Sequence, residues 1–158
     1  MSIRLATPAD ASTLTRLINS AYRVESFFIR GDRTTEPEVQ AWIAAPHSGF
    51  LVLEAPERRG LTGAVLVESP PGGGYFGLLS VDPDAQGKGF GRLLVEAAEA
   101  HCRAAGCLEL RITVVNLRTE LPGFYARFGY EAAGTLPFPA PHKLSQPVHL
   151  VVMRKSLV

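Results

Sequence analysis

Apolar residues change period twice within the first quarter of the chain. Ile3 and Leu5 alternate with polar neighbours, as in a short strand over residues 3–6, whereas Leu14, Leu17, Ile18 and Ala21 recur at three and four residues. The second spacing predicts an amphipathic helix running to about Arg23. Its start is marked by Thr7-Pro8-Ala9-Asp10, which supplies an N-cap, a proline in the first turn and an acid three residues after the cap. Thr34-Thr35-Glu36-Pro37-Glu38 repeats that signature and predicts a second, shorter helix carrying Val39, Trp42 and Ile43. Between the two helices, residues 25–33 run from aromatic to charged with neither period.

Strands are predicted over 50–54 and 61–68, separated by the polar turn Pro56-Glu57-Arg58-Arg59-Gly60. The turn Pro70-Pro71-Gly72-Gly73-Gly74 leads to a third strand over 75–81, completing a meander. The pattern then becomes helical through Leu93, Leu94, Ala97, Ala98 and His101 until Gly106. A strand over 108–115, a short helix over 121–128 stopped by Gly129, and a strand over 130–136 follow. Residues 137–147 form a proline-rich loop before a closing strand over 148–153. The elements are those of one α/β domain over residues 1–158, with no repeat and no linker.

Composition narrows the classes. A chain of 158 residues buries roughly 70% of its unfolded surface, enough for one filled core. No apolar run approaches the ~20 residues of a membrane span, and the N-terminus lacks a signal-peptide pattern, so the expected compartment is the cytoplasm. Cys102 and Cys107 lie in apolar surroundings and read as a reduced core pair. Sixteen basic against fifteen acidic residues leave a net charge of +1, which gives no basis for binding nucleic acid or an anionic membrane. An anionic ligand has to be held locally.

Gln86-Gly87-Lys88-Gly89-Phe90-Gly91-Arg92 is suited to that task, because it lies between an apolar strand and an amphipathic helix. Alternating glycines let backbone approach a ligand, and a helix start offers free N–H groups with a partial charge of roughly +0.5. Several such donors, with Lys88 or Arg92, suffice for a pyrophosphate at about 1.5 to 3 kcal/mol per charge-assisted bond. The dinucleotide fingerprint fails, since its third glycine falls on Arg92, and the Walker loop fails because Gly89 follows Lys88.

The stretch from Leu79-Ser80-Val81 through Gln86 to Leu94 resembles motif A of the GNAT N-acetyltransferases, whose Q/R-x-x-G-x-G/A falls on Gln86, Gly89 and Gly91. The order of elements is similar to that family over essentially the whole chain. The resemblance implies the GNAT acyl-CoA N-acyltransferase fold, a mixed, mostly antiparallel sheet of about seven strands flanked by about four helices. It implies acetyl-CoA as cosubstrate, with Leu79, Ser80 and Val81 offering backbone to the pantetheine arm. Gln86, Gly87, Lys88, Gly89, Phe90, Gly91 and Arg92 would wrap the pyrophosphate. Asn116 and Phe124-Tyr125-Ala126-Arg127-Phe128-Gly129-Tyr130 resemble the second conserved region. There Asn116 would contact the cofactor, and Tyr125 would stand near the sulfur and protonate the departing thiolate.

The implied chemistry is direct attack of an amine on the thioester carbonyl through a tetrahedral intermediate, with no metal. A family-typical splay between strands near Leu79 would free N–H groups for the oxyanion. An amine of pKa near 10.4 stands about three units above neutrality, roughly 4 kcal/mol, so a base is expected. The strand before motif A carries no acid, which leaves Glu25, Asp32, Glu68, His142 and His149 as candidates. By the resemblance, residues 22–33 and 137–143 surround a small-molecule or peptide amine acceptor. Phe27 and Phe28 would wall the pocket, and Arg30, Arg33 or Lys143 would grip an acceptor carboxylate or phosphate. The family also implies a homodimer, with the late strands and the proline-rich loop as its edge. A non-catalytic acyl-CoA-binding regulatory protein of the same fold is the alternative, and it has no need of Tyr125.

Overall fold

Seven strands hydrogen-bond in the order β1-β2-β3-β4-β5-β7-β6 in a computed structural model that describes residues 1–158. They are β1 (Ser2–Leu5), β2 (Ser48–Glu54), β3 (Gly63–Glu68), β4 (Gly74–Val81), β5 (Glu109–Val115), β6 (Glu131–Pro137) and β7 (His149–Ser156). The helices are α1 (Ala11–Ala21), α2 (Glu36–Ala44), α3 (Phe90–Ala104) and α4 (Leu121–Ala126). Every strand pair is antiparallel except β4 with β5, so the mixed, mostly antiparallel sheet that the resemblance implies is present. No helix is long and apolar enough to cross a membrane.

Both faces of the sheet are covered. Leu14, Ile18 and Val39 of α1 and α2 pack on Phe50, Val52 and Leu66. Leu94 and Ala98 of α3 pack on the opposite face with Leu53, Val65, Phe76 and Leu110. This explains the unbroken run Phe50-Leu51-Val52-Leu53: successive side chains enter opposite cores, so neither register position can be polar. Cys102 and Cys107 are buried and unbonded. Burial, reinforced by Cys107, pushes the Cys102 thiol up to about 12 and keeps it protonated.

The two capping signatures form as expected. The Asp10 carboxylate accepts from the Thr7 N–H at 2.7 Å. At α2 the exchange is reciprocal, the Thr35 hydroxyl accepting from the Glu38 N–H at 3.3 Å and Glu38 from the Thr35 N–H at 3.1 Å.

Three departures from the sequence pattern matter. α1 ends at Ala21 rather than near Arg23, and the chain tightens into a 3-10 turn, Tyr22–Glu25, that delivers Glu25 into the interior. β7 continues past Met153 to Ser156, because seven residue pairs with β5 hold its polar end in the ladder. In β4, Leu78 and Leu79 together face Val65, since Gly77 pairs with Leu66 and Ser80 with Ala64. Leu78 has φ +49°, a left-handed conformation that costs a leucine about 1 to 2 kcal/mol. A bulge bends the strand that carries it, here just beyond Tyr75, the last residue of β4 to pair with β5.

Candidate active site

β4 and β5 pair only at Gly74 with Leu110 and Tyr75 with Arg111, after which they diverge. The expected splay is therefore present, and it leaves the β5-facing backbone of residues 76–81 without ladder partners. Two cavities open along the gap. An inner one of about 200 Å³ lies between the diverging strands and the segments 22–33 and 138–143. An outer one of about 520 Å³ lies beside the start of α3. Tyr22, Leu79, Leu121 and Tyr125 line both, so the cavities meet at those four side chains.

The outer cavity is shaped by its glycines. Gly89, the N-cap of α3, has φ +81°, and Gly87 has φ +80°. No side chain caps this helix, so the first N–H groups of α3 have neither an intrahelical nor a side-chain acceptor. Fifteen residues of aligned peptide dipoles stand behind them, which favours an anion at that point. Leu79 and Val81 line the outer cavity, followed by Gln86, Gly87 and Gly89. Phe90, Gly91, Arg92 and Tyr125 complete the set of expected residues found there. Arg92 is exposed and pairs with Glu96 at 3.1 Å.

Three expected cofactor residues line neither cavity. The Ser80 side chain is buried and donates to the Leu78 carbonyl at 2.9 Å. Lys88 is exposed and lines neither cavity. Asn116 is committed to β7, its side-chain oxygen accepting from the His149 N–H at 2.9 Å.

Tyr125 is 6% exposed and packs edge-on against Phe124, with ring centroids 5.0 Å apart, and tilted against Phe76 at 5.9 Å. Its hydroxyl makes no hydrogen bond within the chain, although its ring lies where the cavities meet. Burial raises its pKa, with Tyr22 and Tyr75 adding to the effect, so at neutral pH it is a phenol and a donor.

Of the candidate bases, Glu25 and Asp32 line the inner cavity; Glu68, His142 and His149 do not. Asp32 is exposed, whereas Glu25 is 4% exposed and hydrogen-bonded to Arg118 at 2.9 Å. Burial holds the Glu25 carboxyl above the ordinary carboxylate range, and Arg118 opposes that shift. Arg118 is disfavoured by its own burial, but hydrogen bonds and charge from Glu120 and Glu25 outweigh this and raise its pKa. Arg118 was not among the candidates legible in the sequence. It is an isolated arginine in a turn, and its partner Glu25 lies 93 positions away.

The inner rim joins two distant segments. The Arg30 N–H donates to the Lys143 carbonyl at 2.7 Å, the Ser145 N–H to the Phe28 carbonyl at 2.9 Å, and Ile29 bridges to Leu144. Arg33 and Lys143 line the cavity, whereas Arg30 is exposed and outside it. The expected aromatic wall differs: Phe28 is sealed behind Ile29, which supplies the lining, and Phe27 is 53% exposed.

Comparison with known proteins agrees with this architecture. The model of the acetyltransferase (GNAT) family matches residues 14–130, and the chain belongs to that family. The Salmonella typhimurium protein yncA, solved with its cofactor acetyl-CoA, superposes with a TM-score of 0.78 at 22% identity, over 100% of this chain and 94% of that one. An N-acetyltransferase from Staphylococcus aureus Mu50 gives 0.79 at 20%, over 99% and 98%. An aminoglycoside 6'-N-acetyltransferase complexed with coenzyme A gives 0.78 at 16%, over 100% and 98%. Identities this low show a shared fold. Curated protein sequences gave no match.

Proposed function

We propose that the protein transfers an acetyl group from acetyl-CoA to a primary amine by direct attack of the amine on the thioester. The observation that carries this reading is the junction at Tyr125 and Leu79, where a cavity ending on an uncapped helix start meets one holding a buried carboxylate. The pyrophosphate lies on the free N–H groups of α3 beside Gly87 and Gly89, and the pantetheine arm follows the unpaired backbone of β4 past Val81 and Leu79.

Within the junction each group has a task its surroundings support. Glu25, raised by burial, accepts a proton from the acceptor ammonium, which enters from the inner cavity. Backbone N–H groups of β4 left bare by the splay stabilise the oxyanion. Tyr125, neutral and without a competing partner, donates its proton to the departing thiolate. The bulge at Leu78 maintains the gap, which is a functional reason for a strained leucine.

The test is a free-thiol release assay across amines with acetyl-CoA, run beside calorimetry of acetyl-CoA binding. Binding together with amine-dependent thiol release supports an enzyme. Binding without release for any amine would leave the regulatory alternative.

A further inference from the structure

We infer that the acceptor is a small amino carboxylate, its carboxylate held by Arg33 and Lys143 and its ammonium presented to Glu25. This inference rests on the acetyltransferase reading above and names the acceptor class of the same site.

Size sets the first limit. About 200 Å³ is below the range that accommodates drug-sized ligands, so the inner cavity takes a molecule of few heavy atoms and excludes a folded peptide segment or a multi-ring sugar. Its rim is fixed by backbone hydrogen bonds between Arg30 and Lys143 and between Phe28 and Ser145, so it does not enlarge by moving one free loop.

Charge sets the second. The lining carries two carboxylates, Glu25 and Asp32, and two cations, Arg33 and Lys143, but Glu25 is already paired with Arg118, so the two cations exceed the remaining carboxylate by one charge. An acceptor with one carboxylate, its amine neutralised for attack, meets that single positive excess, whereas a polyamine adds to it and an amino phosphate dianion overfills it. The cations are available: neither Arg33 nor Lys143 makes an ion pair, and both are half-buried. Arg33 is held over the Tyr22 ring, 5.5 Å from its centroid, which orients a guanidinium fork suited to a carboxylate. Tyr22 in turn lines both cavities, so the anion grip adjoins the reacting centre.

In the reaction the ammonium loses one proton to Glu25, the neutral nitrogen bonds to the thioester carbonyl carbon, its second proton passes to solvent from the tetrahedral intermediate, and the C–S bond breaks. The thiolate takes the Tyr125 proton, and the proton on Glu25 returns through solvent to Tyr125, so each turnover releases an N-acetyl carboxylate, free thiol and one proton. The carboxylate is untouched throughout. It contributes to recognition alone.

The experiment compares amino acids and small ω-amino acids with the amines obtained by removing their carboxylate, and adds O-phosphoethanolamine and spermidine. Thiol release is followed with acetyl-CoA, whose binding is measured separately. At least one amino carboxylate should exceed its decarboxylated partner in kcat/KM by 10-fold or more. Arg33→Gln and Lys143→Gln should each shrink that ratio about tenfold through KM, with Arg33→Lys and Lys143→Arg restoring most of it. Preference for spermidine, a plain amine or O-phosphoethanolamine overturns the inference while leaving the acetyltransferase reading intact. Acetyl-CoA binding with no amino carboxylate acetylated also overturns it. Failure to bind acetyl-CoA removes both.

Discussion

Arg118 donates from Nη1 to Glu25 Oε2 at 2.9 Å, linking the turn after β5 to the turn after α1. The same guanidinium donates from Nε to Glu120 at 2.9 Å, and it lines the outer cavity while Glu25 lines the inner one. Removing Arg118 leaves a buried carboxylate without its counter-charge. Arg118→Met is expected to cost about 3 kcal/mol in urea denaturation near neutral pH. The Glu25 pKa, already raised by burial, rises further without Arg118. A carboxyl raised in the fold contributes stability below its unfolded pKa and loses it as pH rises through the folded one, so the deficit should deepen as pH rises above the ordinary carboxylate range. Adding Glu25→Gln should recover most of it, and a double mutant no more stable than Arg118→Met alone would refute the pairing as the cause.

Tyr125→Phe keeps the ring contacts with Phe124 and Phe76 and removes one hydroxyl. Cofactor affinity should survive, and chemistry-limited turnover should fall about 10²- to 10⁴-fold, roughly 3 to 5 kcal/mol in the barrier. Wild-type turnover in this variant would assign proton delivery to water.

Gly89→Val is expected to abolish acetyl-CoA binding. No atom lies within 4 Å of a Cβ at Gly89, so the new side chain projects into the open approach to α3, in a backbone conformation of φ +81° that valine rarely adopts. Gly106, at the far end of the same helix, has φ +87° and equally open surroundings. Gly106→Val therefore carries comparable strain without the obstruction, and calorimetry should show its affinity unchanged.

Asp10 governs acid sensitivity at the start of α1. Hydrogen bonds from the Arg4 guanidinium, at 2.8 and 3.0 Å, hold its carboxyl at about 2, against the opposing effect of burial. A depressed carboxyl contributes stability above its unfolded pKa and loses it as pH falls through the folded one, here between about 4 and 2. Asp10→Asn should lower the melting temperature at neutral pH and flatten its decline over that acid window.

β6 pairs only with β7, and all seven of its residues are exposed, Leu136 at 50%. An apolar position on an open edge suits a second copy of the chain. Sedimentation at high micromolar concentration should give a dimer that Leu136→Lys weakens; a monomeric wild-type mass would count against it.

Most of the scaffold was legible because its signals are local. A cap and its acid are three residues apart at Thr35 and Glu38, and the glycines at 87, 89 and 91 lie within one turn. What was illegible depends on distance or on the partner strand. Glu25 looked like one acid among several until the 3-10 turn buried it against Arg118. Asn116 matched the family pattern, and the hydrogen bond from the His149 N–H to its side-chain oxygen, across to β7, could not be read from that pattern. The bulge at Leu78 arises from register against β3, for which a leucine in an apolar strand gives no sign. The sealing of Phe28 behind Ile29 follows from a bridge to Leu144, more than a hundred positions away.

Two residue pairs join β4 to β5, whereas seven join β5 to β7. The sheet is thus two leaves, β1 to β4 and β5 to β7, bound along a narrow spine, with Phe76, Leu94 and Leu110 in the shared core serving as pivot. Flexing along the spine strains few ladder hydrogen bonds, while flexing within either leaf strains many. The bonds of Arg30 with Lys143 and of Phe28 with Ser145 cross between the leaves at the far side of the gap, so the opening is hinged at the spine and latched at the rim, and the latch sets the width a guest meets.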